Sequence, residues 1–172
     1  MPITAYDASI AVFVHALTSL KAILSKAEQQ AAERGISAAE LLDARLAPPA
    51  PDMLSLASQV HWAAEGAKRT IERLVGGPIA SSNDDARTFA ELHERIDAAI
   101  AQLQSISPSD LEVGLSRAIE IENRRGRIQF TGDRFLREFA IPHFFFHVTC
   151  AYAILRHRGV ALTMADFLGR FD

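Results

Sequence analysis

The sequence contains a single cysteine, Cys150, and no uninterrupted apolar run that approaches the ~18 residues of a membrane-spanning helix. One cysteine cannot form a disulfide within the chain, and the first residues have neither the basic nor the apolar region of a signal peptide. We therefore expect a cytoplasmic protein that is not inserted in a membrane.

The chain also has little excess of charge of either sign. The 18 basic and 21 acidic side chains are spread along the chain and leave a formal charge of −3. Because no basic stripe is present to collect phosphates, nucleic acid is a poor candidate partner. The G-x-S-x-G motif of hydrolases is absent as well.

The 172 residues, of which 49% are hydrophobic, fit one domain, 1–172, with a core of ordinary size. Apolar residues recur at intervals of three and four in three segments, a pattern typical of amphipathic helices. The stripes are Ile10, Phe13, Leu17, Leu20, Leu24 and Ala27; Met53, Leu56, Val60, Ala63, Ala67, Ile71 and Leu74; and Phe89, Leu92, Ile96, Ala99 and Leu103. A capping box of Thr4 and Asp7 predicts the start of the first helix. The second is predicted to begin near Asp52, and the polar cluster at 81–85 offers caps to the third.

Between the third and fourth helices the period of the apolar residues changes to two, which predicts a β-hairpin. Asn123–Gly126 has the composition of its turn. The predicted pairs are Ile119 with Phe130, Ile121 with Ile128, and Glu122 with Arg127.

The fourth predicted helix, from about Asp133 to Arg158, is apolar on nearly every face. Pro142 should kink it, because proline offers no N–H donor. A helix of this composition must be covered all round, so it is either central to the fold or covered by a second copy of the chain. Together the segments predict an all-α, up-down four-helix bundle with a small β-hairpin between helices three and four.

Two histidines, His143 and His147, lie four residues apart on the fourth helix. Their imidazoles project from the same side, at a Cβ separation of about 5–6 Å, and could bind one metal ion. His61 on helix two is the best candidate for a third ligand if helices two and four are neighbours. Gln59 is a candidate for a hydrogen bond that orients an imidazole. Three protein ligands and one open position would form a catalytic metal geometry.

The same histidines could instead be core or interface residues whose rings are satisfied by backbone carbonyls, by Gln59 or by buried water. No Asp or Glu is near them to act as general acid or base, and three phenylalanines stand where a zincin motif has its glutamate. Cys150 is better explained as a small buried apolar residue than as a ligand.

Three stretches of the sequence are shared with a known family. They are Tyr6-Asp7-Ala8-Ser9 with Phe13; Asp52-Met53 with Leu56, Gln59-Val60, Ala63 and Ala67-Lys68; and His143-Phe144-Phe145-Phe146-His147-Val148-Thr149 with Ala151-Tyr152, Ile154-Leu155-Arg156-His157, Gly159-Val160 and Asp166-Phe167-Leu168-Gly169. Through them nearly the whole chain resembles a bacterial family, domain of unknown function 1993. That family is similar to the DinB and YfiT-like superfamily of four-helix bundles, which commonly dimerise and often hold a divalent metal ion with three histidines.

The resemblance implies one metal ligand from helix two and two from an H-x-x-x-H on helix four, at the positions of His61, His143 and His147. The H-x-x-x-H agrees well, whereas the helix-two position is not reliably histidine in this family. The superfamily includes metal-dependent thiol transferases, but nothing in this sequence identifies a thiol substrate. The resemblance therefore implies a fold and a candidate site rather than a reaction.

Two functions remain open. The first is a metal-dependent enzyme of the DinB-like type, in which the histidines hold zinc or nickel and activate a thiol or water. The second is a non-catalytic homodimeric bundle, or a module that binds a small ligand without metal. The expected partners are a second copy of the chain and a small-molecule ligand.

Overall fold

The computed structural model describes residues 3–47, 53–123 and 126–171. These residues are mostly helical, with one two-stranded antiparallel sheet. The elements are α1 Val12–Glu33, α2 Ala38–Leu42, α3 Leu56–Val75, α4 Phe89–Gln104, α5 Pro108–Gly114, β1 Ala118–Asn123, β2 Gly126–Thr131, α6 Gly132–Arg134, α7 Ile141–His157 and α8 Met164–Leu168. The helical class with a small antiparallel sheet is confirmed, and the up-down order of a four-helix bundle stays a prediction.

The core lies among the long helices α1, α3, α4 and α7. Helix α3 packs against both α7 and α4, while α1 packs against α4, α7 and α8. All residues of the three predicted apolar stripes are buried except Met53, which precedes α3. The periodicity of the sequence therefore identified the core faces of these helices correctly.

The first helix begins at the predicted capping box. The Asp7 backbone N–H donates to Thr4 Oγ1 at 3.1 Å, and the Thr4 N–H donates to Asp7 Oδ2 at 3.2 Å. A π-helical stretch, Asp7–Ala11, then runs directly into α1. The reciprocal hydrogen bonds satisfy donors that a helix start leaves unpaired.

Two predicted helix starts were placed too early. Helix α3 is capped by Ser55, whose side chain accepts from the Ser58 N–H, and the predicted start near Asp52 lies outside the described residues. Helix α4 is capped by Thr88, which forms a capping box, and not by the cluster at 81–85. That cluster is polar enough to cap a helix, but the apolar stripe that drives helix formation begins only after Thr88.

The fourth long helix is continuous over Gly132–His157, but it changes its hydrogen-bonding register near Pro142. A π-helical stretch, Phe135–Ala140, precedes α7, and the N–H of Ile141 donates to the carbonyl of Leu136, five residues earlier. Because Pro142 has no N–H, the backbone around it cannot keep a regular α-helical ladder. The predicted disturbance takes the form of a wider helical turn.

The hairpin has the predicted register. All three predicted pairs form across β1 and β2. Ile119 and Ile121 are buried, whereas Ile128 is 42% exposed. The predicted burial of one side of the hairpin thus holds for β1 and only in part for β2; Arg124 and Arg125 of the predicted turn lie outside the described residues.

Two continuous helical segments, Asp7–Glu33 and Gly132–His157, are long and apolar enough to cross a membrane by length and composition alone. About half of the most apolar window of each, 50% and 44%, is buried inside the protein. Their apolar character therefore coincides with core packing against the other helices, and it is weak evidence for a membrane span.

Candidate functional site

The site is formed where one face of α3 meets the first turns of α7. Gln59, Gly66 and Arg73 are spaced seven residues apart, so they lie on the same side of α3. His61 is two residues after Gln59, which turns it by about 200° around the helix axis. The periodicity of α3 therefore separates His61 from the face that carries Gln59.

His147 is buried and held by an amide. Its Nδ1 lies 2.7 Å from Gln59 Oε1. Because an amide oxygen can only accept, His147 Nδ1 carries the proton and Nε2 keeps its lone pair. The predicted role of Gln59 as the residue that orients an imidazole is confirmed.

His143 completes a pair of imidazoles. Its Nε2 lies 3.3 Å from Nε2 of His147, to which it donates a hydrogen bond, and its ring stacks on Phe139 at a centroid distance of 5.5 Å. A Cβ atom at Gly66 would lie 3.3 Å from His143 Nδ1, tighter than most real contacts. The ring is thus fixed between an aromatic side chain and a position on α3 that has no side chain.

Both imidazoles favour the neutral form. Burial, followed by the neighbouring His143, lowers the pKa of His147 to about 4. Burial, followed by the charge of Arg73, also lowers the pKa of His143. Neutral imidazole is the form that binds a metal or accepts a proton, so the pair is available for either chemistry near pH 7.

His61 has a different partner. Arg95 on α4 donates from Nη1 to His61 Nδ1 at 2.7 Å, which places the remaining proton of His61 on Nε2. That Nε2 atom is buried and has no hydrogen-bond partner among the described residues. Burial lowers the pKa of His61, and the charge of Arg95 contributes in the same direction.

The structure therefore brings His143 and His147 together and leaves His61 on the side of α3 that meets α4. Within residues 3–47, 53–123 and 126–171, no group of three or more His, Cys, Asp or Glu side chains is arranged to hold a metal ion. The assignment of His61 as the third ligand stays a prediction. Cys150 is buried, as predicted for a small apolar residue.

A cavity of about 140 Å³ borders the pair at His143. Its wall contains two arginines, Arg69 and Arg73, which the sequence analysis did not single out. The spacing of Gly66 and Arg73 from Gln59 was a signal that could have identified Arg73. A larger cavity of about 980 Å³ lies along α1 and α8, and it includes neither His143 nor His147.

Comparison with known proteins places the chain in a family. The family described as a domain of unknown function (DUF1993) matches residues 5–168. The chain belongs to the DUF1993 family. The resemblance found in the sequence is thereby confirmed.

This DUF1993 chain is also similar to a solved structure, a DinB family member protein from Shewanella denitrificans determined by crystallography at 1.83 Å resolution. The two are 35% identical, with a TM-score of 0.87, and the match covers 96% of this chain and 92% of that chain. No curated protein matches the chain. The DinB-like fold is shared over nearly the whole length, while neither comparison names a reaction.

Proposed function

We propose that this DUF1993 chain is a metal-dependent enzyme in which His143 and His147 bind one divalent ion, zinc or nickel. The supporting observation is the 3.3 Å separation of the two Nε2 atoms. Two imidazole nitrogens bound to one tetrahedral ion, each at about 2.0–2.1 Å, would be about 3.3–3.4 Å apart. The pair is therefore spaced as two ligands of one ion.

The surrounding residues prepare the pair for this role. Gln59 accepts from His147 Nδ1 and so presents the lone pair of Nε2, as partners of metal-binding histidines commonly do. His143 needs its proton on Nδ1 to present Nε2 in the same way. A divalent ion held there would lower the pKa of a bound thiol or water and generate a nucleophile near pH 7.

The proposal assigns two protein ligands rather than three. His61 fits poorly as the third, because its Nδ1 accepts from the cationic Arg95 and its Nε2 carries a proton. The remaining coordination positions are left to a substrate or to water.

Elemental analysis of the untagged protein tests the proposal. We expect zinc or nickel at one equivalent per chain in the parent and in His157→Ala, which alters an exposed histidine at the end of α7. We expect the metal to disappear in His143→Ala. A parent that is folded and metal-free after purification in zinc-supplemented medium would contradict the proposal.

A non-catalytic homodimer is the second candidate function. One observation favours it: Phe146, on the outer side of α7, is 45% exposed. A large apolar side chain on an apolar helix is a common feature of subunit interfaces. We expect a dimer mass by light scattering at micromolar concentration and a monomer for Phe146→Lys, whereas a monomeric parent would contradict this alternative.

A further inference from the structure

The 140 Å³ cavity beside His143 has an unusual charge balance. Three parts of the fold enclose it: the α3 face, Ile121 of β1, and the stretch from Phe135 to His143. Its charged lining residues are Arg69 and Arg73, and no carboxylate is among the side chains that line it. A partly open cavity with cationic side chains in its wall favours an anionic occupant.

The acidic residues of α3 neutralise this wall only in part. Glu65 pairs with Lys68 Nζ at 2.7 Å and is 3.9 Å from Arg69 Nε, which is beyond hydrogen-bonding distance. Glu72 accepts from Gln102 of α4 at 2.9 Å, on the other side of α3. Arg73 takes part in neither ion pair of Glu65. Among the described residues it donates one long bond, 3.5 Å, to the carbonyl of Arg69, and the charge of Glu72 also acts on it.

Arg69 has an unused donor in a fixed position. Its guanidinium lies over the Trp62 ring, 5.2 Å from the ring centroid. Its Nε is buried and has no hydrogen-bond partner among the described residues. A buried guanidinium N–H without an acceptor is costly, and a bound oxyanion would satisfy it.

Apart from His143 and Thr70, whose hydroxyl donates to the carbonyl of Gly66, the rest of the cavity is apolar. Trp62, Phe135 and Phe139 supply aromatic wall, and Ile121 supplies an aliphatic one. Small-molecule sites commonly combine such walls with a few convergent polar groups. The cavity is therefore suited to a small molecule that has an apolar body and an anionic end.

We propose that this cavity binds the oxyanion group of a small organic anion, a carboxylate or a phosphate, through Arg69 and Arg73, beside the His143 imidazole. The inference that this anion is the substrate rests on the proposed function, because the anion would lie next to the metal-binding pair. The binding itself requires no metal. The planar forks of the two arginines match the oxygen spacing of carboxylate and phosphate.

The single tryptophan of the chain, Trp62, lines the cavity and provides a direct signal. We would titrate the EDTA-treated protein with isobutyrate, with inorganic phosphate and with the neutral isostere isobutyramide, at constant ionic strength, and follow Trp62 fluorescence and its indole N–H resonance. We expect isobutyrate to bind about tenfold or more tightly than isobutyramide, because charge-assisted hydrogen bonds are about twice as strong as neutral ones. Saturation by inorganic phosphate would extend the site to both oxyanions, whereas a response to isobutyrate alone would restrict it to carboxylates.

Arg73→Gln should weaken isobutyrate binding about tenfold or more, and Arg73→Lys, which keeps the charge but loses the fork, should weaken it less. The matched control is Arg158→Gln, because Arg158 lies at the far end of α7, about 20 Å along the helix from His143. Circular dichroism confirms that each variant is folded.

Equal affinities for isobutyrate and isobutyramide, or an Arg73→Gln variant that binds as the parent does, would overturn the inference. Binding that EDTA abolishes and Arg73→Gln leaves intact would assign the anion to the metal, and would overturn it too. Failure of the metal proposal is recognised separately, by elemental analysis before EDTA treatment: the parent would be metal-free as purified from zinc-supplemented medium and would still bind isobutyrate.

Discussion

The two faces of α3 treat their polar residues in opposite ways. On the face toward α7, Gln59 accepts from His147, and His147 and His143 form a pair of neutral imidazoles. On the face toward α4, His61 accepts from the guanidinium of Arg95. Burial lowers the pKa of the histidines on both sides, so burial alone does not distinguish a ligand-binding imidazole from a structural one.

The difference between the faces lies in the partner. The far nitrogen of His147 accepts from a neutral imidazole, His143, which can move its proton to its other nitrogen and free both lone pairs. The lone pair of His61 is held by a cationic donor that cannot do so. The first arrangement suits the binding of a metal ion or a proton. The second arrangement, the hydrogen bond from Arg95 to His61, links α4 to α3, and its positive charge repels other cations. Four experiments test this contrast.

The largest expected effect is the pH dependence of stability that His147 produces. Its pKa is about 4 in the folded protein, against 6.5 for an unperturbed histidine. Below pH 6.5 the His147 imidazole is protonated in the unfolded chain but stays neutral in the folded chain. The stability that is present above pH 6.5 is therefore lost as the pH falls toward 4. The full loss is roughly 3 kcal/mol, and about 2 kcal/mol of it should occur between pH 6.5 and 5.

Urea unfolding from pH 7 to pH 5 measures this loss. His147→Asn, which keeps a donor toward Gln59 but cannot be protonated, should flatten the profile. His157→Asn, at the exposed end of α7, should leave the slope unchanged. A parent and a His147→Asn variant with equal slopes would contradict the assignment of a neutral, buried imidazole.

The second effect concerns Gln59. Gln59→Leu leaves the Nδ1–H of His147 buried without an acceptor, so the free energy of unfolding at pH 7 should fall by about 2 kcal/mol. Gln59→Glu keeps an acceptor and, because its charge favours imidazolium, should raise the pKa of His147 in an NMR titration. A Gln59→Leu variant as stable as the parent would show that the hydrogen bond from His147 to Gln59 does not stabilise the protein in solution.

Local periodicity predicts which side of α3 carries Gln59 and which side of α7 carries the two imidazoles, while the contact itself depends on the two helices being neighbours. A spacing of four residues places His143 and His147 on one side of a helix, and Gln59 lies on a face of small residues that permits close approach. His61 was chosen for its residue type, without regard to its helical phase relative to Gln59. That is why the structure brings together two of the three predicted ligands.

The third effect is on the other face of α3. Arg95→Gln removes the donor to His61 and the ion pair with Asp85, which is largely exposed. We expect a loss of about 1 kcal/mol in urea unfolding, mostly from the buried contact, because exposed ion pairs contribute little. Metal content should match that of the parent. Loss of bound metal in this variant would show that the two faces act as one site.

The charged cavity could not be derived from the sequence. Its walls come from α3, from β1 and from the π-helical stretch before α7, and their approach depends on tertiary packing around Pro142. The spacing of four residues places Phe139 beside His143, but the sequence could not predict how closely α3 and β1 approach them. Local patterns specified the helices, whereas the enclosed volume depends on how distant segments meet.

The smallest expected effect tests how closely α3 and α7 approach each other. By intrinsic helix propensity alone, Gly66→Ala should stabilise the protein by about 1 kcal/mol. The reverse change at an exposed position of α4, Ala98→Gly, measures that intrinsic effect. At position 66 the added Cβ would meet His143 Nδ1 at 3.3 Å, so the ring must move by a few tenths of an ångström. We expect a net gain below about 0.5 kcal/mol, together with shifted ¹⁵N resonances of the His143 ring. A full gain with unchanged resonances would mean that the imidazole pair is not pressed against α3, and the contrast between its two faces would then rest on hydrogen bonding alone.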